Sequence, residues 1–196
     1  MNKERPSIIA LAGPNGAGKS TNGPALIQET FGVKEFVDAD MIAREIDPTA
    51  PERIALKAGR RMLDRLHDLA QHKKSFAFET TLSSRSFAPW ITQLLKNGWE
   101  FHLVFLWLPS ADLAIQRVGD RVKLGGHDVP EEVIRRRYKA GLRNFFEIYQ
   151  ALAATWIIYD NSATVPRVVA DGQRGTAKTV EDKATWELLN REFGNA

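Results

Sequence analysis

Gly13-Pro14-Asn15-Gly16-Ala17-Gly18-Lys19-Ser20-Thr21 decides the reading of this chain, because it fills the phosphate-loop pattern G-x-x-x-x-G-K-[ST] at every position. An apolar run from Ser7 to Ala12 leads straight into it, which predicts the strand such a loop follows. The glycines let successive backbone N–H groups turn inward around phosphate oxygens, and the helix that follows aims its positive dipole end at the same anion. Lys19 then reaches the β- and γ-phosphates of ATP, and Ser20 is placed to hold Mg²⁺. A chance glycine-rich turn would supply the glycines alone. The strand before it and the lysine and hydroxyl after it set this stretch apart.

The chain has 196 residues, near the size of one ordinary α/β domain, so residues 1–196 are expected to share one core. Hydrophobic residues make up 43% and charged residues 26%, a globular balance that excludes wholesale disorder and a disulfide scaffold. There is no cysteine, which removes disulfides, thiolate metal sites and a cysteine nucleophile together and suits a cytoplasmic protein. No apolar run approaches the roughly 20 residues that span a bilayer, so no membrane role is expected. Met1-Asn2-Lys3-Glu4-Arg5-Pro6 is not followed by the apolar core of a signal peptide. The formal charge of +3 is too mild to separate nucleic-acid binding from binding of a phosphorylated small molecule.

Beyond the loop, Ser20 to Glu29 reads as a helix with Leu26 and Ile27 turned to the sheet, and Gly23-Pro24 predicts a kink or early distortion in it. Phe31-Gly32 closes that helix, and Glu35-Phe36-Val37-Asp38 reads as a second strand. Asp38-Ala39-Asp40 then places two carboxylates at the carboxyl end of a strand, the edge where ligands lie in open α/β sheets. One of them can assist the Mg²⁺ shell through water while the other orients and deprotonates an attacking hydroxyl. Asp40 could equally be the N-cap of a helix starting at Met41.

A loop over Asp47-Pro48-Thr49-Ala50-Pro51 precedes a long helix to about His72, with Ala55, Met62, Leu66 and Leu69 inward and His67 and His72 on the solvated side. Ser75-Phe76-Ala77-Phe78-Glu79 reads as a buried strand ending in Glu79-Thr80-Thr81, a carboxylate placed like that of a Walker B element. A helix from Ser86 to Asn97 and a central strand from Phe101 to Leu108 follow, with His102 at the edge away from the loop.

Pro109-Ser110 opens a helix through Val122 whose inner stripe is Ala114, Val118 and Val122, with Arg117 and Arg121 sharing a face beside it. Leu124-Gly125-Gly126-His127-Asp128-Val129-Pro130 reads as a hinge. The helix after it carries Ile134, Tyr138, Leu142, Phe145, Tyr149 and Leu152 inward and Arg135, Arg136 and Arg137 on its other faces. Two arginine-bearing helices joined by a glycine hinge describe a lid. Arg117, Arg121 and at least one of Arg136 and Arg137 are the candidates to contact phosphate, with Arg136 expected to close over the γ-phosphate beside Arg117 and Arg121, and Arg135 is expected on a solvated face.

Thr155-Trp156-Ile157-Ile158-Tyr159 reads as the last main strand, followed by Asp160-Asn161-Ser162, where Asn161 and Ser162 are candidates for adenine contact. Pro166 to Ala170 could add an edge strand, Asp171-Gly172 a turn, and Asp171 to Lys178 is the one stretch polar enough to be mobile. The tail from Val180 to Phe193 is amphipathic and predicts a closing helix. Together these elements predict an α/β, doubly wound, mostly parallel sheet of five or six strands flanked by helices.

With the loop, Asp38-Ala39-Asp40, Phe78-Glu79-Thr80-Thr81, Gly125-Gly126-His127-Asp128-Val129-Pro130, Arg136-Arg137-Tyr138 and Tyr159-Asp160-Asn161-Ser162 in view, the sequence resembles the zeta toxin family of P-loop kinases. It is most similar to the short members built as a single P-loop kinase-like domain, and the resemblance covers most of the chain. It implies a P-loop NTPase fold, ATP and Mg²⁺ as cofactors, and transfer of the γ-phosphate to a hydroxyl of a nucleotide sugar, typically UDP-N-acetylglucosamine. It also implies Asp40 as the base, since its interval from Lys19 matches the family arrangement. Glu79 falls on the family's acidic strand end beside Thr80, associated with substrate and the metal shell. At the lid the chain departs from the family pattern, because His127 stands near a position where larger members carry an arginine. Arg136 or Arg137, or His127 in part, then supplies that charge. An antitoxin protein is the partner the family implies. Two other functions compete: a kinase of an antibiotic or nucleoside alcohol, and an ATPase switch or nucleic-acid-associated ATPase without a small-molecule acceptor. The second lacks the interleaved aromatic and basic strand residues that stack bases.

Overall fold

The computed structural model describes residues 5–48 and 51–194. Residues 1–4 and the Thr49-Ala50 part of the loop expected before the long helix lie outside the described residues. The sheet grows from β1 (Ser7–Ala12), whose five residues from Ile8 onward are fully buried. β1 pairs in parallel with β3 (Phe76–Thr80) on one side and β4 (Glu100–Trp107) on the other. β2 (Phe36–Val37) extends the sheet beyond β3, and β5 (Thr155–Asp160) beyond β4. The parallel order is therefore β2-β3-β1-β4-β5. The chain leaves β1 towards one edge and β3 towards the other, so their carboxyl ends open the crevice in which such sheets hold ligands.

Alternation along the strands sends residues to two cores. Ile8 and Ala10 of β1, Phe76 and Phe78 of β3, and Phe101, Leu103 and Phe105 of β4 face one helical layer. It holds α3 (Ala55–Gln71), α4 (Phe87–Lys96), the distal part of α6 (Glu131–Asn144) and α8 (Lys183–Phe193). Ile9 and Leu11 of β1, Ala77 and Val104 face the other layer, formed by α1 (Lys19–Phe31), α5 (Ala111–Lys123) and Ile134 of α6. The short α2 (Ala39–Ile46) follows β2 and packs on α3.

Several expectations change. The sheet has seven strands, because β6 (Arg167–Gln173) and β7 (Thr176–Val180) add an antiparallel hairpin to β5. The stretch expected to be a turn and then mobile is this hairpin, closed by Arg174 and Gly175 at φ 46° and 81°. The closing helix accordingly starts after β7, capped by Asp182. α1 continues through Pro24 to Phe31 as one helix, with Gly23 pressed against Leu11 of β1. In α3 the inward position falls to Ala58, while Ala55 is exposed to the crevice side. His67 is exposed but lies against the Trp90 ring, 5.1 Å between centroids. The long stripe after the hinge breaks at a π-helical turn, Phe145–Tyr149, before α7 (Gln150–Leu152), so Phe146 joins Phe145 and Tyr149 in the core. His102 bonds Thr155 Oγ1 across the ladder at the far end of the sheet, as a structural residue would.

Candidate active site

The phosphate loop is shaped by backbone that only glycine tolerates. Gly13 has φ 143° and any Cβ there would lie 2.3 Å from the Leu106 carbonyl oxygen, so the loop runs flush against β4. At Gly18 φ is 81°, the turn from which α1 departs. Lys19, 5% exposed, folds back so that Nζ donates to the Gly13 and Pro14 carbonyls, both at 2.9 Å. Burial pulls the ammonium down from its ordinary value, and the Glu79 carboxylate 3.6 Å away opposes this. The register pairs Leu11 with Glu79, which fixes that carboxylate beside the loop. Its Oε2 accepts from Ser20 Oγ at 2.8 Å.

The two aspartates divide their duties. Asp38 is the N-cap of α2, Oδ1 accepting from the Asp40 N–H at 2.9 Å, so the helix begins at Ala39 and Asp40 is not its cap. Asp38 Oδ2 is buried without a partner, and burial, with Glu79 next, pushes this carboxyl up to about 6. Asp40, half-buried in the first turn of α2, is left to face the crevice.

Two cavities meet at these carboxylates. One, of about 380 Å³, runs along Gly16, Gly18, Ser20 and Thr21, with Arg117 and Arg121 of α5 on its far wall. The other, of about 270 Å³, is walled by Asp38, Thr80, Thr81, His127, Val129 and Arg137, with Ala43 and Ala55 supplying apolar surface. Asn15, Lys19, Asp40, Arg44 and Glu79 line both. The oxygen donors around the junction are the Ser20 hydroxyl on the loop-side cavity, Glu79 common to both, and the orphaned Asp38 Oδ2 on the other. That chemistry fits Mg²⁺, which is held by one or two carboxylates together with substrate phosphates and water.

The arginines are not arranged as the sequence suggests. Arg117 donates from both terminal nitrogens to the carbonyls of Asn161 and Ser162, at 2.8 and 2.7 Å, clasping the segment after β5. Arg121 donates to the His127 carbonyl at 2.7 Å, fastening the hinge to α5. Arg136 is exposed and walls neither cavity; Arg137 enters the site in its place, half-buried, with Nη1 3.5 Å from Asn15 Oδ1. The reason lies in helix phase, since Arg137 flanks the inward Ile134 and Tyr138 while Arg136, a further ~100° round, points away from them. Burial and the neighbouring Arg136 lower the Arg137 pKa, with Asp40 opposing. Arg135 pairs with Asp112 of α5 at 2.6 Å, so the three consecutive arginines form no common basic face. Asn161 is likewise engaged: its amide donates to the Ala17 carbonyl at 2.7 Å, bracing the loop instead of awaiting a base. Arg44 was not singled out from the sequence, although it lies one helical turn after Asp40 and on the same face.

Comparison with known proteins agrees with this architecture. The family model described as Zeta toxin matches residues 1–166. Over 130 residues, 66% of this chain and 91% of the other, the sequence is 32% identical to an uncharacterized protein of Haemophilus influenzae. A chain of the AvrRxo1-ORF1:-ORF2 crystal structure with ATP superposes with a TM-score of 0.69 at 17% identity, over 94% of this chain and 63% of that one. This chain thus spans less than two thirds of that relative's length. A chain of the PezAT chromosomal toxin-antitoxin system of Streptococcus pneumoniae gives 0.62 at 20% identity, covering 98% and 80%. The protein belongs to the zeta toxin family and has the P-loop NTPase fold. No helix among the described residues is long and apolar enough to cross a membrane.

Proposed function

We propose that this zeta toxin family member moves the γ-phosphoryl group of ATP onto a hydroxyl of a nucleotide sugar such as UDP-N-acetylglucosamine. The observation that carries the reading is the junction of the two cavities, where Lys19, Asp40 and Glu79 meet. ATP lies along the loop-side cavity and the acceptor enters the cavity walled by Thr80, Thr81, His127 and Arg137. Asp40 takes the proton of the acceptor hydroxyl. The acceptor oxygen bonds to the γ-phosphorus as the bond to the bridging oxygen breaks, and that electron pair leaves with ADP.

Lys19 exchanges the Gly13 and Pro14 carbonyls for phosphate oxygens, and the loop N–H groups hold the rest of the anion. Ser20, with Asp38 or Glu79 through water, would hold Mg²⁺, which when bound neutralises phosphate charge. Arg117 and Asn161 brace the loop and the segment after β5, and Arg121 sets the hinge that carries His127. Arg137 takes the phosphate-facing role expected of Arg136. The PezAT relative is described as a toxin-antitoxin system, which supports an antitoxin partner for this chain. The test is incubation with Mg-ATP and a panel of nucleotide sugars, nucleosides and antibiotic alcohols, followed by phosphorus NMR. A phosphate monoester on a nucleotide sugar is expected. An ester on another alcohol transfers the reading to that acceptor, and ADP without any ester overturns it.

A further inference from the structure

We infer that Arg44 is a catalytic residue of this site, which grips the phosphoryl group in flight from the side opposite the loop. The inference rests on the kinase reading above and adds a residue to it.

Arg44 is the one arginine, among the described residues, that lines both cavities. Arg117 and Arg121 line only the loop-side cavity, and Arg137 only the other. The space common to both is where phosphorus leaves ADP and meets the acceptor oxygen, so a cation shared by both cavities faces the reacting atoms at either stage. Hydrogen-bonding capacity points the same way. Arg117 and Arg121 already hold the carbonyls of Asn161, Ser162 and His127, and Arg135 holds Asp112. Among the described residues Arg44 makes no hydrogen bond or ion pair, which leaves its planar fork of five N–H donors available for phosphate oxygens.

Its placement also suits the chemistry. Arg44 lies in the last turn of α2, four residues after Asp40, so proton acceptor and cation ride on one face of one helix. The side chain is exposed at the rim, its charge felt by the Asp38 carboxyl, and among the described residues it has no hydrogen bond to break on swinging onto an arriving phosphate. As the acceptor oxygen bonds to phosphorus and the bridging bond breaks, charge spreads over the three equatorial oxygens. Lys19 meets that charge from the loop and Arg44 from α2.

Titration calorimetry of Arg44→Ala with Mg-ATP and with Mg-ADP reads the contact without an acceptor. The ATP dissociation constant is expected to rise about tenfold while that for ADP stays within about twofold, because only ATP presents the γ-phosphoryl. In the acceptor assay, kcat is expected to fall on the order of 10³-fold, with partial recovery in Arg44→Lys or on adding guanidinium. An unchanged ratio of ATP to ADP affinity overturns the inference, and so does an equal loss of both affinities with a lower melting temperature, which marks a structural role. A wild-type protein that binds ATP but phosphorylates nothing refutes the kinase reading instead, and the affinity ratio then decides the Arg44 contact by itself.

Discussion

Replacing Asp38 with asparagine separates the two duties of that side chain. Oδ1 caps α2 through the Asp40 N–H, a duty asparagine performs equally well. Oδ2 is buried without a partner, and the carboxyl is raised from 3.8 to about 6, first by burial and then by Glu79. Between those two values the folded state binds more protons than the unfolded chain, so stability falls as pH rises through that window. The loss amounts to roughly 3 kcal/mol by neutral pH and vanishes once the group is protonated in both states. Asp38→Asn is neutral throughout. In metal-free buffer it should therefore be more stable than wild type by up to about 3 kcal/mol at pH 7, a rise in Tm of up to about 10 °C for a chain of this size. The gain should close as the pH is lowered towards 4. Scanning calorimetry of both proteins from pH 4 to 8 measures it. A variant less stable than wild type at pH 7, or a gain that does not change with pH, refutes the reasoning.

Three further outcomes are expected. Gly141→Ala would gain about 1 kcal/mol in an open helix. Here the new methyl would lie 2.5 Å from the Thr81 carbonyl oxygen, so denaturant titration should show a loss of roughly 1–3 kcal/mol. Asn161→Ala removes the 2.7 Å bond to the Ala17 carbonyl, which should lower stability by about 1 kcal/mol and raise KM for ATP more than it lowers kcat. Arg137→Ala should lower kcat on the order of 10²-fold, while Arg136→Ala, at an exposed position outside both cavities, stays within about twofold in the same assay.

The parts of the site that one short stretch of backbone builds were legible in the sequence. The phosphate loop, its strand and its helix are dictated by local chemistry, and Asp40 and Glu79 follow from their place at the carboxyl ends of strands. Long side chains were harder, because an arginine's reach crosses several elements. The choice between Arg136 and Arg137 was in fact available. Ile134, Tyr138 and Leu142 set the helix phase, and Arg137 flanks that stripe while Arg136 points to the opposite side. Arg44 carried a similar signal, four residues after Asp40, but nothing in the spacing told that the helix would turn that face to both cavities. Arg117 and Asn161 could not be assigned to bracing, since their partners are backbone carbonyls more than forty residues away. The β6–β7 hairpin was missed because β7 is mostly exposed and lacks the apolar alternation that marks a half-buried strand. Its two-residue Arg174-Gly175 turn was the available clue.

Asp40 is the residue on which the kinase reading depends most, since it alone turns a bound triphosphate towards an acceptor hydroxyl. The direct measurement is phosphorus NMR of wild type and Asp40→Asn side by side, each with Mg-ATP and the acceptor panel, after equal ATP affinity has been verified for both. A phosphate monoester should form with wild type, and its rate should fall on the order of 10²–10⁴-fold in the variant. Ester formation by Asp40→Asn at the wild-type rate would contradict the assignment.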